Sequence, residues 1–124
     1  MQQGRIEWKG PVVVVTRKVF RQKMLQAAIL AKIDREHLRI DTDRVRESLQ
    51  TVRRNVSRDR LMLSYLVWWE RIVDGNDIEE LRAVVARDDE TGNDMRNLSP
   101  LYVLFTEDER RQFLEAFWAQ WSLQ

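Results

Sequence analysis

Two hydrophobic periods divide this 124-residue chain. Near the start the period is two. Ile6 and Trp8 alternate with Arg5, Glu7 and Lys9, a strand pattern. Lys9-Gly10-Pro11 is turn chemistry, and Val12 to Val15 are four β-branched residues that favour extended backbone. The pattern predicts a β-hairpin over residues 4–16. A lone two-stranded hairpin is marginal in water. Its apolar side chains, Trp8, Val13 and Val15, are therefore expected to pack on helices or to meet another chain.

From residue 17 onward the period becomes helical. Phe20, Met24, Ala27, Ala28 and Ala31 share one face of a first helix that runs to about Leu38, and Leu25, Ile29 and Ile33 widen the stripe. The small alanines allow another helix to approach closely. Asp41 or Thr42 is placed to cap a second helix striped by Val45, Leu49, Val52 and Val56. Leu61 to Val73 is apolar nearly all round, which suits a central or interfacial helix. Either Ser57 caps it as a separate helix, or residues 43–73 form one bent rod. Asp74-Gly75-Asn76-Asp77 is a stop and restart, with Gly75 suited to a left-handed helix end. Asp77 and Glu80 have the spacing to open a short helix over residues 78–87. The polar, turn-rich residues 88–97 read as a mobile loop. Ser99-Pro100 opens a brief apolar turn, and Thr106 with Glu109 forms a capping box for a last helix carrying Phe113, Phe117 and Trp121. The expected fold is mainly α: a single domain over residues 1–124, with a bundle of about five helices behind a short N-terminal β-hairpin.

Charge changes this picture more than composition does. Lys plus Arg number 21 and Asp plus Glu 20, for a net charge of +1. Yet residues 1–60 carry 15 basic and 7 acidic side chains, and residues 61–124 carry 6 and 13. The halves are opposite in sign, and complementary surfaces follow, within one molecule or between copies. Cysteine is absent, which excludes disulfides, thiol nucleophiles and thiolate metal sites and fits a reducing compartment. No apolar run is long enough for a membrane span, and the opening MQQGRIEWKG lacks the apolar core of a signal peptide. A cytoplasmic protein is expected.

Candidate chemistry is sparse. His37 is the lone histidine, and it sits near a predicted helix end without a spaced nucleophile or orienting carboxylate. Asp41, Asp43, Asp88, Asp89 and Glu90 fit caps and solvated loop better than a hard-cation site. Phosphate-loop, dinucleotide, nucleophile-elbow and zinc-helix motifs are missing. No catalytic residue, metal or cofactor is assigned. Two surfaces remain. Arg44, Arg46, Arg53, Arg54, Arg58 and Arg60 form a basic set that could face phosphates, although Asp43, Glu47 and Asp59 interrupt it. Trp68, Trp69, Trp118 and Trp121, with Trp8, Val13 and Val15, are candidates for partner binding, because aromatic residues dominate interaction hot spots.

Three segments carry a resemblance: GRIEWKGPVVVV, LVWWERIVDGND and LSPLYVLFTEDERRQFLEAFW. Their order is similar to that of the small tail assembly chaperones of long-tailed bacteriophages. In that family an edge pair of strands precedes a helical bundle, and a Trp…Asp-Gly junction precedes the last helices. The resemblance implies a non-enzymatic protein that coats the helical tape-measure protein in the host cytoplasm and can self-associate. Opposite-signed halves would suit head-to-tail contacts between copies. The alternative is a small nucleic-acid-binding regulator that uses the Arg-rich helix.

Overall fold

A computed structural model describes residues 16–56 and 58–122. Six α-helices follow in order: α1 Arg17–Glu36, α2 Asp43–Asn55, α3 Arg60–Asp74, α4 Ile78–Val85, α5 Glu90–Asn97 and α6 Glu107–Trp121. A 3₁₀ turn, Leu101–Leu104, stands between α5 and α6. Among the described residues there is no strand. The hairpin expected over residues 4–16 lies outside them, with Trp8, Val13 and Val15.

Most helix starts are set by one side chain each. Thr16 caps α1 by accepting from the Val19 amide, and Thr42 caps α2 from Val45. Asp59 accepts from the Met62 amide and starts α3, so residues 43–73 form two helices rather than one rod. The capping box at α6 forms as its spacing predicts: Thr106 accepts from the Glu109 amide, and Glu109 accepts from the Thr106 amide. At α4 only half of the expected box forms. Asp77 accepts from the Glu80 amide at 3.1 Å, while the Glu80 carboxylate is taken by the indole N–H of Trp68 at 2.8 Å.

Among the described residues, two that are not glycine enter the left-handed region. His37 ends α1 at φ 55°, with its N–H returned to the Ile33 carbonyl. Asn76, not Gly75, takes positive φ in the α3–α4 turn, at 48°; Gly75 stays right-handed at φ −85°. Asn76 earns the position with its side chain, whose Oδ1 accepts from the Ile40 amide at 2.8 Å. That bond ties the α1–α2 connection to the α3–α4 turn.

Residues 88–97 depart furthest from expectation. They hold α5 instead of a mobile loop. Glu-Thr-Gly-Asn-Asp has poor helix propensity, so tertiary contacts supply the stability. Asp89 caps the helix from the Gly92 amide at 2.9 Å, and Met95 is fully buried. Gly92 is there for space: a Cβ on it would lie 2.6 Å from the Arg87 Cβ and 2.8 Å from the Arg87 carbonyl oxygen.

The core gathers Ile29 and Ile33 of α1, Val45 and Leu49 of α2, Leu66, Trp69 and Val73 of α3, Leu81 and Val84 of α4, and Leu101 and Phe105 around the 3₁₀ turn. Helix α1 is the hub, packed against α4, α5, α6 and the 3₁₀ turn. Helix α3, apolar nearly all round, does not run through the middle. It buries Tyr65, Leu66, Trp69, Ile72 and Val73 and leaves Leu61, Leu63 and Val67 exposed.

Candidate functional site

Helix α1 is apolar on more of its circumference than the other described residues cover. Its buried face is Leu25, Gln26, Ile29, Lys32 and Ile33. The stripe read from the sequence, Phe20, Met24, Ala27, Ala28 and Ala31, lies beside that face: Ala27 and Ala31 are exposed, and the others half-buried. This follows from the 100° step of a helix. A face centred on Ile29 and Ile33 rotates Ala27 and Ala31 outward.

The uncovered strip forms the floor of a groove. Between α1 and α4, Phe20, Met24, Ala27, Leu30, Ala31 and Val85 line a cleft of about 580 Å³. Met24, Ala28 and Ala31 also line a second cleft of about 430 Å³ on the α6 side, closed by Phe105 and Phe113. The first cleft is bounded by two ion pairs. Lys23 pairs with Asp88 at one end. At the other, Asp34 accepts two hydrogen bonds from Arg82, at 3.0 and 3.1 Å, and that guanidinium holds the Asp34 carboxyl below its usual range. Positions 23 and 34 are about 16 Å apart along a helix axis, or three turns. The groove therefore has the length of a short helical segment, an apolar floor, small residues at its centre and charges at its ends.

The aromatic candidates fall into different environments. Trp69 is 0% exposed and donates its indole N–H to the Met95 carbonyl at 3.0 Å. That corrects its assignment to a partner surface, because it has no surface to present. Trp68 is half-buried, bonded to Glu80, with the Arg87 guanidinium 5.9 Å from its ring. It fastens α3 to α4. Trp121 packs on Phe20 and Phe117, with ring centroids 5.6 and 6.1 Å away. Trp118 is 43% exposed beside Arg17, whose guanidinium lies 5.2 Å from the ring. Of the four, Trp118 alone offers a broad face to solvent.

The basic set divides as well. Arg53 pairs with Glu70, and Arg46 donates to Asp74 at 3.1 Å, both across the α2–α3 contact. Arg44, Arg54, Arg58 and Arg60 are exposed. The opposite-signed halves thus meet within one chain. Lys23–Asp88, Lys32–Glu109, Arg46–Asp74 and Arg53–Glu70 each join a basic residue of the first half to an acidic residue of the second. Lys32 is the most deeply placed of these cations. Its ammonium donates to Glu109 at 2.6 Å and to the Leu104 carbonyl at 2.7 Å, and the Glu109 carboxyl is held below its usual range, first by Lys32.

One buried charge was not visible in the sequence. Arg96, in the segment expected as loop, is 2% exposed. Nothing in its neighbourhood along the chain distinguishes it from a solvated arginine. His37 is exposed, and the role it fills is the left-handed helix end. Among the described residues, no helix is long and apolar enough to cross a membrane, and no group of three or more His, Cys, Asp or Glu is arranged to hold a metal ion. Compared with family models, curated proteins and solved structures, the chain matches none.

Proposed function

We propose that this protein is a non-enzymatic helical assembly protein that holds an amphipathic helix of another protein along the α1 groove. The observation that carries this reading is the uncovered apolar strip of α1, with Ala27 and Ala31 exposed at its centre. Small residues let a second helix backbone come close, and an amphipathic helix matches an apolar groove through residues three and four apart. The resemblance in layout to phage tail assembly chaperones names the partner most directly: the long helical tape-measure protein, met in the host cell cytoplasm. Trp118, and Trp8, Val13 and Val15 of the expected hairpin, extend the proposed surface beyond the groove. Self-association belongs to the same reading. The nucleic-acid alternative is less well supported, because Arg46 and Arg53 are engaged by Asp74 and Glu70.

The test is co-expression with the proteins of neighbouring reading frames, the longest helix-rich one first, followed by co-purification. Ala27→Arg with Ala31→Arg places two long charged side chains in the groove at exposed positions. Loss of co-purification with an unchanged unfolding midpoint is expected. Undiminished capture by the doubly substituted protein would remove the groove from the binding surface. Tight, salt-sensitive binding to duplex DNA by the unmodified protein would favour the basic surface instead.

A further inference from the structure

The strip that α1 leaves uncovered has the pattern of a helix-pairing seam. Phe20, Met24, Ala27 and Ala31 follow one another at steps of four, three and four, the spacing at which two helices wind side by side. At its centre Ala27 and Ala31 are exposed, so a facing helix can come to about 8 Å, the short end of the usual interaxial range.

Four charges frame this strip, and their signs alternate around it. On the α1 rim, Lys23 stands at one end and Asp34 at the other. Across the groove, Asp88 pairs with Lys23, and Arg82 of α4 pairs with Asp34. All four side chains remain between 38% and 76% exposed, so each has surface left for a further charge. A frame of alternating signs is complementary to itself. Turned end for end and laid on its original, it sets plus against minus at every corner. A second copy of this chain carries that frame: its Asp34 meets Lys23, and its Asp88 meets Arg82.

We propose that, when no other protein is bound, a second copy of this chain covers the strip. The two α1 helices pack antiparallel about a two-fold axis, crossing midway between Lys23 and Asp34, beside Ala27. Such a contact is isologous, so each favourable pair occurs twice. Stable interfaces bury about 800 Å² on each partner, and a strip three turns long is smaller than that. The dimer is therefore weak and reversible, the form that a captured helix can displace. Dimerisation and capture use one surface and exclude each other, which rests on the reading of the groove given above.

The experiment is sedimentation velocity of the full chain at low salt, from about 10 μM to about 1 mM, on the unmodified protein, Lys23→Glu, Asp34→Lys and an equimolar mixture of the two variants. Concentration-dependent dimers of the unmodified protein are expected. Each variant alone sets like charges together at both symmetry-related contacts and should dimerise at least about tenfold more weakly. In the mixture each new acid faces a new base, and the unaltered Lys23 of one chain faces the unaltered Asp34 of the other. The two variants should therefore bind each other at least about fivefold more tightly than either binds itself. The pairs with Asp88 and Arg82 inside each chain are not restored by mixing, so recovery reports the contact between chains alone. Cysteine is absent from the sequence, so Ala27→Cys adds a single thiol, which lies within disulfide reach of its copy at an interaxial distance of about 8 Å. Under mild oxidation it should cross-link at least about tenfold faster than Leu63→Cys, exposed on α3. A monomer at every concentration, as would follow if another segment of this chain, residues 1–15 included, covered the strip, would overturn the proposal. So would a dimer that both single substitutions leave unchanged, or a mixture that associates no better than its components. Co-purification of a foreign helix is read separately: recovery without capture leaves the dimer as the use of the strip, and capture without recovery overturns the dimer alone.

Discussion

Trp68 and Trp69 are adjacent in sequence and differ in almost everything else. One helical step of 100° puts Trp69 in the core, against Met95, and Trp68 on the flank, against Glu80. Trp69→Ala is expected to destabilise the protein by about 3–5 kcal/mol, whereas Trp118→Ala, at an exposed site, should cost under about 1 kcal/mol. Urea denaturation of both variants checks this; similar midpoints would contradict the assigned burial. A second residue-scale prediction concerns Gly92. Its missing side chain is the space in which the Arg87 backbone sits. Gly92→Ala should raise helix propensity yet lower stability, by about 1–3 kcal/mol, because the backbone contact must open. A stabilised variant would show that the contact yields easily.

At the scale of elements, α5 depends on the residue that caps it more than on its composition. Asp89 accepts from the Gly92 amide and from Arg87, with Nη2 at 2.7 Å. Arg87, then the amide, lowers its pKa from 3.8 to about 2. The sign follows from linkage. The folded value lies below the unfolded one, so the contribution to stability is complete above about pH 4 and is lost as pH falls towards 2. Asp89→Asn keeps an amide oxygen as cap but cannot titrate. It should flatten this part of the acid unfolding profile and speed amide exchange in α5 at neutral pH, where the charged cap is gone. An unchanged acid profile would remove Asp89 from the titration. The lesson for reading such segments is specific. Residues 88–97 look like a loop because Thr, Gly, Asn and Asp are weak helix formers, and the forces that make them helical act from Arg87 and from the core.

For the whole molecule, the opposite charges of the two halves are partly spent inside the fold. Among the described residues, four ion pairs join a basic residue of the first half to an acidic residue of the second, two of them across the α2–α3 contact. Arg53→Glu should destabilise modestly, and adding Glu70→Arg should recover part of the loss, with a coupling of about 0.2–1 kcal/mol that shrinks in high salt. Zero coupling at low salt would show that the pair contributes nothing. Charges still free to act between molecules are those at exposed positions such as Arg44, Arg54, Arg58 and Arg60. The groove along the uncovered strip of α1 is also a property of the assembled fold, since two helices wall it.

Local chemistry alone was enough for the helices whose starts and stripes are written in short range. Thr42, Asp77 and the Thr106–Glu109 box cap where their spacing says, and Val45, Leu49, Leu81 and Phe117 are buried where their periods say. These features depend on residues three or four apart, so sequence contains them. Tertiary structure decided the rest. It selected which side of a broadly apolar α1 faces inward, since a helix with too much apolar surface has no preferred rotation until its neighbours arrive. It also chose Asn76 over Gly75 for the left-handed turn, through a bond to Ile40, 36 residues away in sequence. And it buried Arg96 among carbonyls from α4 and its end, an environment that no spacing along the chain encodes.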